Sequence, residues 1–324
     1  MIDAKQYAIG RDLHIDVPLS NISVAYMNDD ASFIAPSIYP VVSVQKQSDK
    51  YYIFDKEDWF RIPNTRRARK GEAQIVEFSI SSESYFADNY ALAHEIAFED
   101  KNGANADQVL DIDVSAAEFV THKLKLDWEK RLASQLTSTS NVGSSVTLSG
   151  TDQWSDFANS DPFDDIEIGK EAVHTTTGRK ANLIVLGQPV VNKLRNHPDI
   201  IDRIKYTQTA FIQDNEAPLL AQAFGVSKVL IGGAVENTAV ENLSASMSYV
   251  WGKDVLVAHV APSPGLRTAS LGYSFRWTVP GIPNMLVERH TIPLRHTERI
   301  EIGYFQDEKI IASEMGYLIK DAVG

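Results

Sequence analysis

Cysteine is absent from all 324 residues, which removes disulfides, thiolate metal sites and cysteine nucleophiles together and leaves packing and association to stabilise the fold. There is no run of about 18 apolar residues of the kind that crosses a bilayer. The start of the chain, MIDAKQYAIGRDLHIDV, has no basic region followed by an apolar stretch, so the sequence points to neither membrane nor secretion but to a cytoplasm. Positive charge is scarce. Thirty-one basic against forty-three acidic residues give a net charge of -12, without the basic footprint of a general nucleic-acid binder. No Gly-x-Ser-x-Gly elbow and no Gly-Lys-Ser/Thr occurs, which removes the usual marks of a serine hydrolase and of a phosphate-binding loop. What remains is ordinary globular composition, 44% hydrophobic and 23% charged, enough for one large core or two modest ones.

Residues 1–37 have few periodic apolar positions and several turn formers, which predicts an extended arm lying on another surface. Residues 38–60, IYPVVSVQKQSDKYYIFDKEDWF, hold two short apolar and aromatic strands separated by QKQSDK. In AQIVEFSI, residues 73–80, Val76, Phe78 and Ile80 alternate onto one strand face, so these segments predict a long two-stranded excursion. Between them lies RIPNTRRARKG, where Arg61, Arg66, Arg67, Arg69 and Lys70 form the one dense positive patch of an acidic chain. Five cations at the tip of a hairpin gain little from their own fold, so they suit either a solvated loop or docking onto the acidic surface of another copy.

A long helix is predicted over 115–137. Ser115 and Glu118 fit a capping box, and Ala117, Val120, Leu124, Trp128, Leu132 and Leu136 recur at three- and four-residue intervals. The serine- and glycine-rich stretch 138–160 reads as a surface loop between two lobes. Asp161 then caps a second helix, with Pro162 in its first turn, acids at Asp164, Asp165 and Glu167, and Gly178 as terminator. NLIVLGQPVVNKLRNHPDI, residues 182–200, has the strand, glycine turn and helix of a nucleotide site, but a phosphate cradle needs more than one glycine. A strand-to-helix turn that only builds the fold is the reading these residues favour, with a nucleotide-binding α/β enzyme as the alternative. The closest histidines, His290 and His296, have no zinc-motif spacing, and the acids after Asp161 lack a calcium-loop pattern, so no metal or cofactor is expected. The mixed order of helices and strands argues an α+β fold.

Taken in order, VVSVQKQSDKYYIFDKEDWFR, RRARKGEA, the long helix, DPFDDI, LIVLGQPVVNKLRNHPDI, LAQAFGVSKVLIGGAVENTA, WGKDVLVAHV and EMGYLIKDAV resemble the major capsid protein of tailed double-stranded DNA bacteriophages. The resemblance covers nearly the whole chain, and its specificity lies in the ordered set. It implies the tailed-phage major capsid fold: an N-terminal arm (1–37), an extended loop and its roots (38–85), a peripheral domain (86–160) with its spine helix at 115–137, an axial domain (161–285), and C-terminal strands (286–324) returning to the peripheral domain. It also implies a non-enzymatic role. Copies of the chain would form hexamers and pentamers of an icosahedral head enclosing DNA without sequence-specific contacts, assembled in a host cytoplasm and found in the virion. The arm begins almost at Met1, which suggests a separate scaffolding protein or none; portal and decoration proteins are further implied partners. An encapsulin-like compartment shares the fold and is the near alternative.

Overall fold

The computed structural model describes residues 27–54, 56–100, 112–204, 216–265, 268–278 and 286–324. In chain order the helices are α1 (Ala35–Ile38), α2 (Lys56–Phe60), α3 (Ile112–Leu136), α4 (Pro162–Thr177), α5 (Gln188–Leu194), α6 (Pro198–Ile204) and α7 (Glu216–Phe224). The strands are β1 (Val41–Val44), β2 (Ser48–Phe54), β3 (Ile80–Phe86), β4 (Asp88–Ala97), β5 (Ser144–Thr147), β6 (Leu183–Gly187), β7 (Lys228–Gly232), β8 (Val235–Asn237), β9 (Met247–Tyr249), β10 (Val255–Ala258), β11 (Gly272–Trp277), β12 (Leu286–Ile292), β13 (Thr297–Ile310) and β14 (Gly316–Lys320).

Two sheets organise them. In the first, β13 pairs antiparallel with β4, β11 and β12, and β1 adds parallel to β11. In the second, the order is β5-β14-β10-β6-β7. Both faces of this second sheet are covered, so β6 and β10 at its centre are apolar at every position rather than alternating. On β6, Ile184 and Leu186 join Ile166 and Val173 of α4, Val190 and Leu194 of α5, and Leu219, Leu220 and Phe224 of α7. Leu183 and Val185 face the other way, onto Ala35 and Ile38 of α1, the last turns of α3, and Trp251.

α3 reaches both sheets because of its spacing. Its buried residues include Ala116, Val120, Leu124, Trp128, Leu132 and Leu136, a repeat of four on a helix of 3.6 residues per turn. Each step advances the stripe by roughly 40°, so over the helix it winds about 200° around the axis. The first half packs on Ile96, Ile300, Ile302 and Tyr304 of the first sheet, and the second half on the second sheet.

The helix starts before Ser115, which places Ser115 and Glu118 inside it rather than in a capping box; Asp113, in the first turn, is held by Arg289 at 2.9 Å. α4 is built as its sequence reads. Asp161 Oδ1 accepts from the Phe163 and Asp164 amides at 3.0 and 3.1 Å, and Gly178 closes the helix at φ 65°.

Two expectations are corrected. Residues 138–160 are not a surface loop between lobes: β5 lies parallel to β14 at the edge of the second sheet, and Trp154 is fully buried, its Nε1 donating to Asp165 at 2.7 Å. The polar composition concealed β5 because an edge strand can leave its side chains in water. The strands are also shared out differently, since β14 sits inside the second sheet between β5 and β10, whereas β11 belongs to the first. Of the expected arm, residues 1–26 lie outside the described residues, and the part that follows contributes α1. Ile34, Ala35 and Ile38 are buried in the chain's own core, because α1 supplies an apolar face that α3 and the second sheet cover.

α1 is fastened by a charge. Glu129, fully buried on α3, accepts from the Ala35 amide at 2.9 Å through Oε2 and from Trp251 Nε1 at 2.5 Å through Oε1. Burial pushes its carboxyl above the usual carboxylate range, and the hydrogen bonds from Trp251 and the Ala35 and Ile34 amides pull it back in part.

Gly187 ends β6 and caps α5 at an ordinary negative φ, so positive-φ freedom is not its purpose. A Cβ there would collide with the carbonyl of Gly252. That close approach of backbone to backbone makes the turn a packing device. Gly187→Ala is therefore expected to cost about 1–3 kcal/mol through overpacking, checked by urea denaturation.

Candidate intersubunit interface

The hairpin of β2 and β3 begins on a firm root. The two strands pair from Ser48↔Phe86 to Phe54↔Ile80. Tyr85 stacks on Phe275 of β11 at 4.7 Å between ring centroids, Tyr51 lies 5.5 Å from the same ring, and Asp307 of β13 accepts from the Phe86 amide at 2.9 Å. Tyr51 donates to Glu83 at 2.6 Å across the strands, and burial pushes its phenol pKa up.

Beyond the root the hairpin departs from the sequence reading. Residues 56–60 turn into α2 instead of continuing a strand, with Glu57 and Asp58 placed at the positive end of its dipole. Asp58 Oδ2 then accepts from both the amide and the hydroxyl of Ser79 at 2.8 Å, which ties the outgoing and returning segments and holds the Asp58 carboxyl below its usual range. Phe54, Trp59 and Phe78 gather with centroids 6.1–6.3 Å apart. Residues 73–79 form no strand; β3 starts only at Ile80. Their alternating pattern is real, but among the described residues no strand lies beside them to complete the ladder.

The result is a large apolar surface facing solvent. Ile62 is 93% and Ile75 84% exposed, and Tyr52, Trp59, Phe60, Val76 and Phe78 are exposed with them. Scattered apolar side chains on a surface are normal, but this many on one projection mark an interaction site. Arg61, Arg66, Arg67, Arg69 and Lys70 share the projection and are exposed as well. Their segment is shaped by local contacts between side chains and backbone. Asn64 accepts from the Arg66 amide at 3.1 Å, Lys70 adopts φ 64°, and Arg67 Nε donates to the Gly71 carbonyl at 2.6 Å. The cations thus crown the apolar hairpin, as the sequence order requires.

A second projection, in residues 232–244, is one that the sequence did not single out. β8 and β9 pair as a short hairpin exposing Val240, Leu243 and Met247. Its neck is clamped by Asn28, whose side chain donates to the Val235 carbonyl at 2.9 Å and accepts from the Val235 amide at 3.0 Å, and by Lys130 paired with Glu236. The signal was present in the alternation of VEN and MSY, but the intervening polar turn masked it.

The other residues considered from sequence find plain structural places. His290 binds Glu288 at 2.9 Å, and His296 turns the chain between β12 and β13 at φ 51°. Asp161 and Asp165 serve the helix start and Trp154. Among the described residues no group of three metal-ligating side chains occurs, and no helix is long and apolar enough to cross a membrane.

No protein-family model matches the chain. It is 28% identical over 319 residues to the major capsid protein of Burkholderia phage BcepMu, covering 96% of this chain and 97% of that one. It is also 28% identical over 316 residues to the major capsid protein of Pseudomonas phage JBD67, covering 95% and 97%. Among solved structures, a phage-related protein from Bordetella bronchiseptica RB50 superposes with a TM-score of 0.68 at 25% identity, over 91% of this chain and 94% of that one. The capsid of cyanophage P-SCSP1u superposes at 0.58 with 9% identity, over 92% and 90%. Along nearly its whole length the chain is similar to phage major capsid proteins, and it has the tailed-phage capsid fold. An encapsulin from Synechococcus elongatus PCC 7942 has the same fold at a TM-score of 0.51 and 10% identity, over 94% of each chain.

Proposed function

We propose that this capsid homologue is the repeating subunit of an icosahedral phage head, forming hexamers and pentamers of itself around double-stranded DNA. The observation that carries this reading is the ordered β2–β3 hairpin, whose apolar side chains and five cations face water on a chain whose core is otherwise well covered. Obligate interfaces bury upwards of about 2,000 Å², and a hairpin of this kind supplies such area only by lying on a second copy. Head-to-tail contacts that close give rings, and rings that meet give a shell. In this reading the hairpin with its tip, residues 38–85, is the extended loop, α3 is the spine helix, and Arg61, Arg66, Arg67, Arg69 and Lys70 contact a neighbouring subunit.

The net charge of -12 suits a container whose lining does not grip its contents. The role is structural, and no catalytic residue or cofactor is assigned. A scaffolding protein, a portal and decoration proteins would complete the head, with assembly in the host cytoplasm. Negative-stain electron microscopy of the purified protein, alone and after co-production with the neighbouring head genes, is expected to show closed particles of uniform diameter. Particles that carry protein cargo and no DNA would favour the compartment instead, and monomers under both conditions would refute the shell.

A further inference from the structure

The hairpin is not free to point anywhere. Lys56, at the start of α2, reaches across 258 positions of sequence to Glu314, Nζ to Oε1 at 2.7 Å. Four residues on, the Phe60 ring lies over Gly178, the C-cap of α4, with its Cζ 3.1 Å from where a Cβ on that glycine would sit. The receiving side is rigid. Glu314 belongs to a tight turn, Ser313–Met315, whose backbone presses against Gly143 and whose Ser313 carbonyl accepts from the Gly143 amide at 2.9 Å. Asp58, between the two contacts, holds Ser79 of the returning segment, so whatever fixes α2 fixes both sides of the hairpin.

We propose that Lys56 on Glu314, together with Phe60 on Gly178, is a latch that sets the direction of the hairpin in the free subunit before a neighbour is met. This rests on the shell reading for its purpose but not for its test. An exposed ion pair contributes little to stability, yet a small bias is enough to raise the fraction of subunits whose hairpin already points correctly, and apparent affinity follows that fraction. Releasing the latch is thus expected to raise the assembly threshold concentration about two- to fivefold.

The absence of cysteine makes the latch directly measurable. Spin labels on Glu77→Cys, beside the Ser79 that Asp58 holds, and on Thr175→Cys of α4 report the hairpin-to-body distance by pulsed electron resonance on free subunits. The expected result is one narrow distance distribution that broadens in Glu314→Gln and narrows again in the exchanged pair Lys56→Glu with Glu314→Lys. A distribution whose width Glu314→Gln leaves unchanged, or one that the exchange fails to restore, would overturn the latch. Because the labels are read before assembly, micrographs without shells would sink the shell reading and leave this result standing.

Discussion

Arg66→Glu combined with Arg67→Glu is expected to abolish particles while leaving a folded subunit. Both side chains are exposed, and the one polar contact the substitutions remove, Arg67 Nε to the Gly71 carbonyl, lies within the exposed tip, so the fold loses little: surface substitutions of this kind usually stay within about 0.5 kcal/mol. The interface loses much more. Reversing two charges replaces attraction by repulsion, and like charges brought together across an interface cost several kcal/mol. In a shell the penalty recurs at every copy. Circular dichroism and thermal melting should match the parent, while sedimentation shows only small species; unchanged particles would remove these arginines from the interface.

Glu129→Ala is expected to destabilise the subunit by about 2–4 kcal/mol. The substitution leaves the Trp251 indole and the Ala35 amide buried without an acceptor, each costing about 1–3 kcal/mol, offset in part because a buried charge also disappears. It also unfastens α1 from α3 and from the Trp251 turn. Glu129→Gln keeps an acceptor and separates the two effects through pH. The carboxyl pKa is raised in the fold, chiefly by burial, so the folded state binds the proton more tightly than the unfolded chain. That contribution is fully present below the ordinary carboxylate pKa and is lost as pH rises through the raised one. Denaturation of free subunits from acid to neutral pH should therefore show the parent losing stability relative to Glu129→Gln, whereas parallel profiles would mean that Glu129 does not titrate in that window.

The sequence was most legible where local chemistry and tertiary packing agree. Asp161, Pro162 and Gly178 bound α4 as caps alone would place them, and the four-residue repeat of α3 stands out because both sheets need that winding stripe. It was least legible where the decisive partner is far away in the chain. β5 is polar and becomes a strand only because β14, from the far end of the chain, lies beside it. Glu129 looks like any solvent-facing helix charge until Trp251 and Ala35 close over it. The hairpin failed in an informative direction. Val76 and Phe78 alternate like a strand, yet residues 73–79 find no ladder among the described residues. The cations at 61–70 were visible at once, because a dense positive run in an acidic chain needs no fold to be noticed.

The most direct measurement is a cryo-electron microscopy map of the assembled particle, read at the β2–β3 hairpin. Trp59, Ile62, Ile75 and Phe78 should be buried against an adjacent subunit, with Arg66 and Arg67 beside its carboxylates. A closed particle in which this hairpin stands in solvent, or lies only on the subunit it comes from, would contradict the claim that identical neighbours complete the fold.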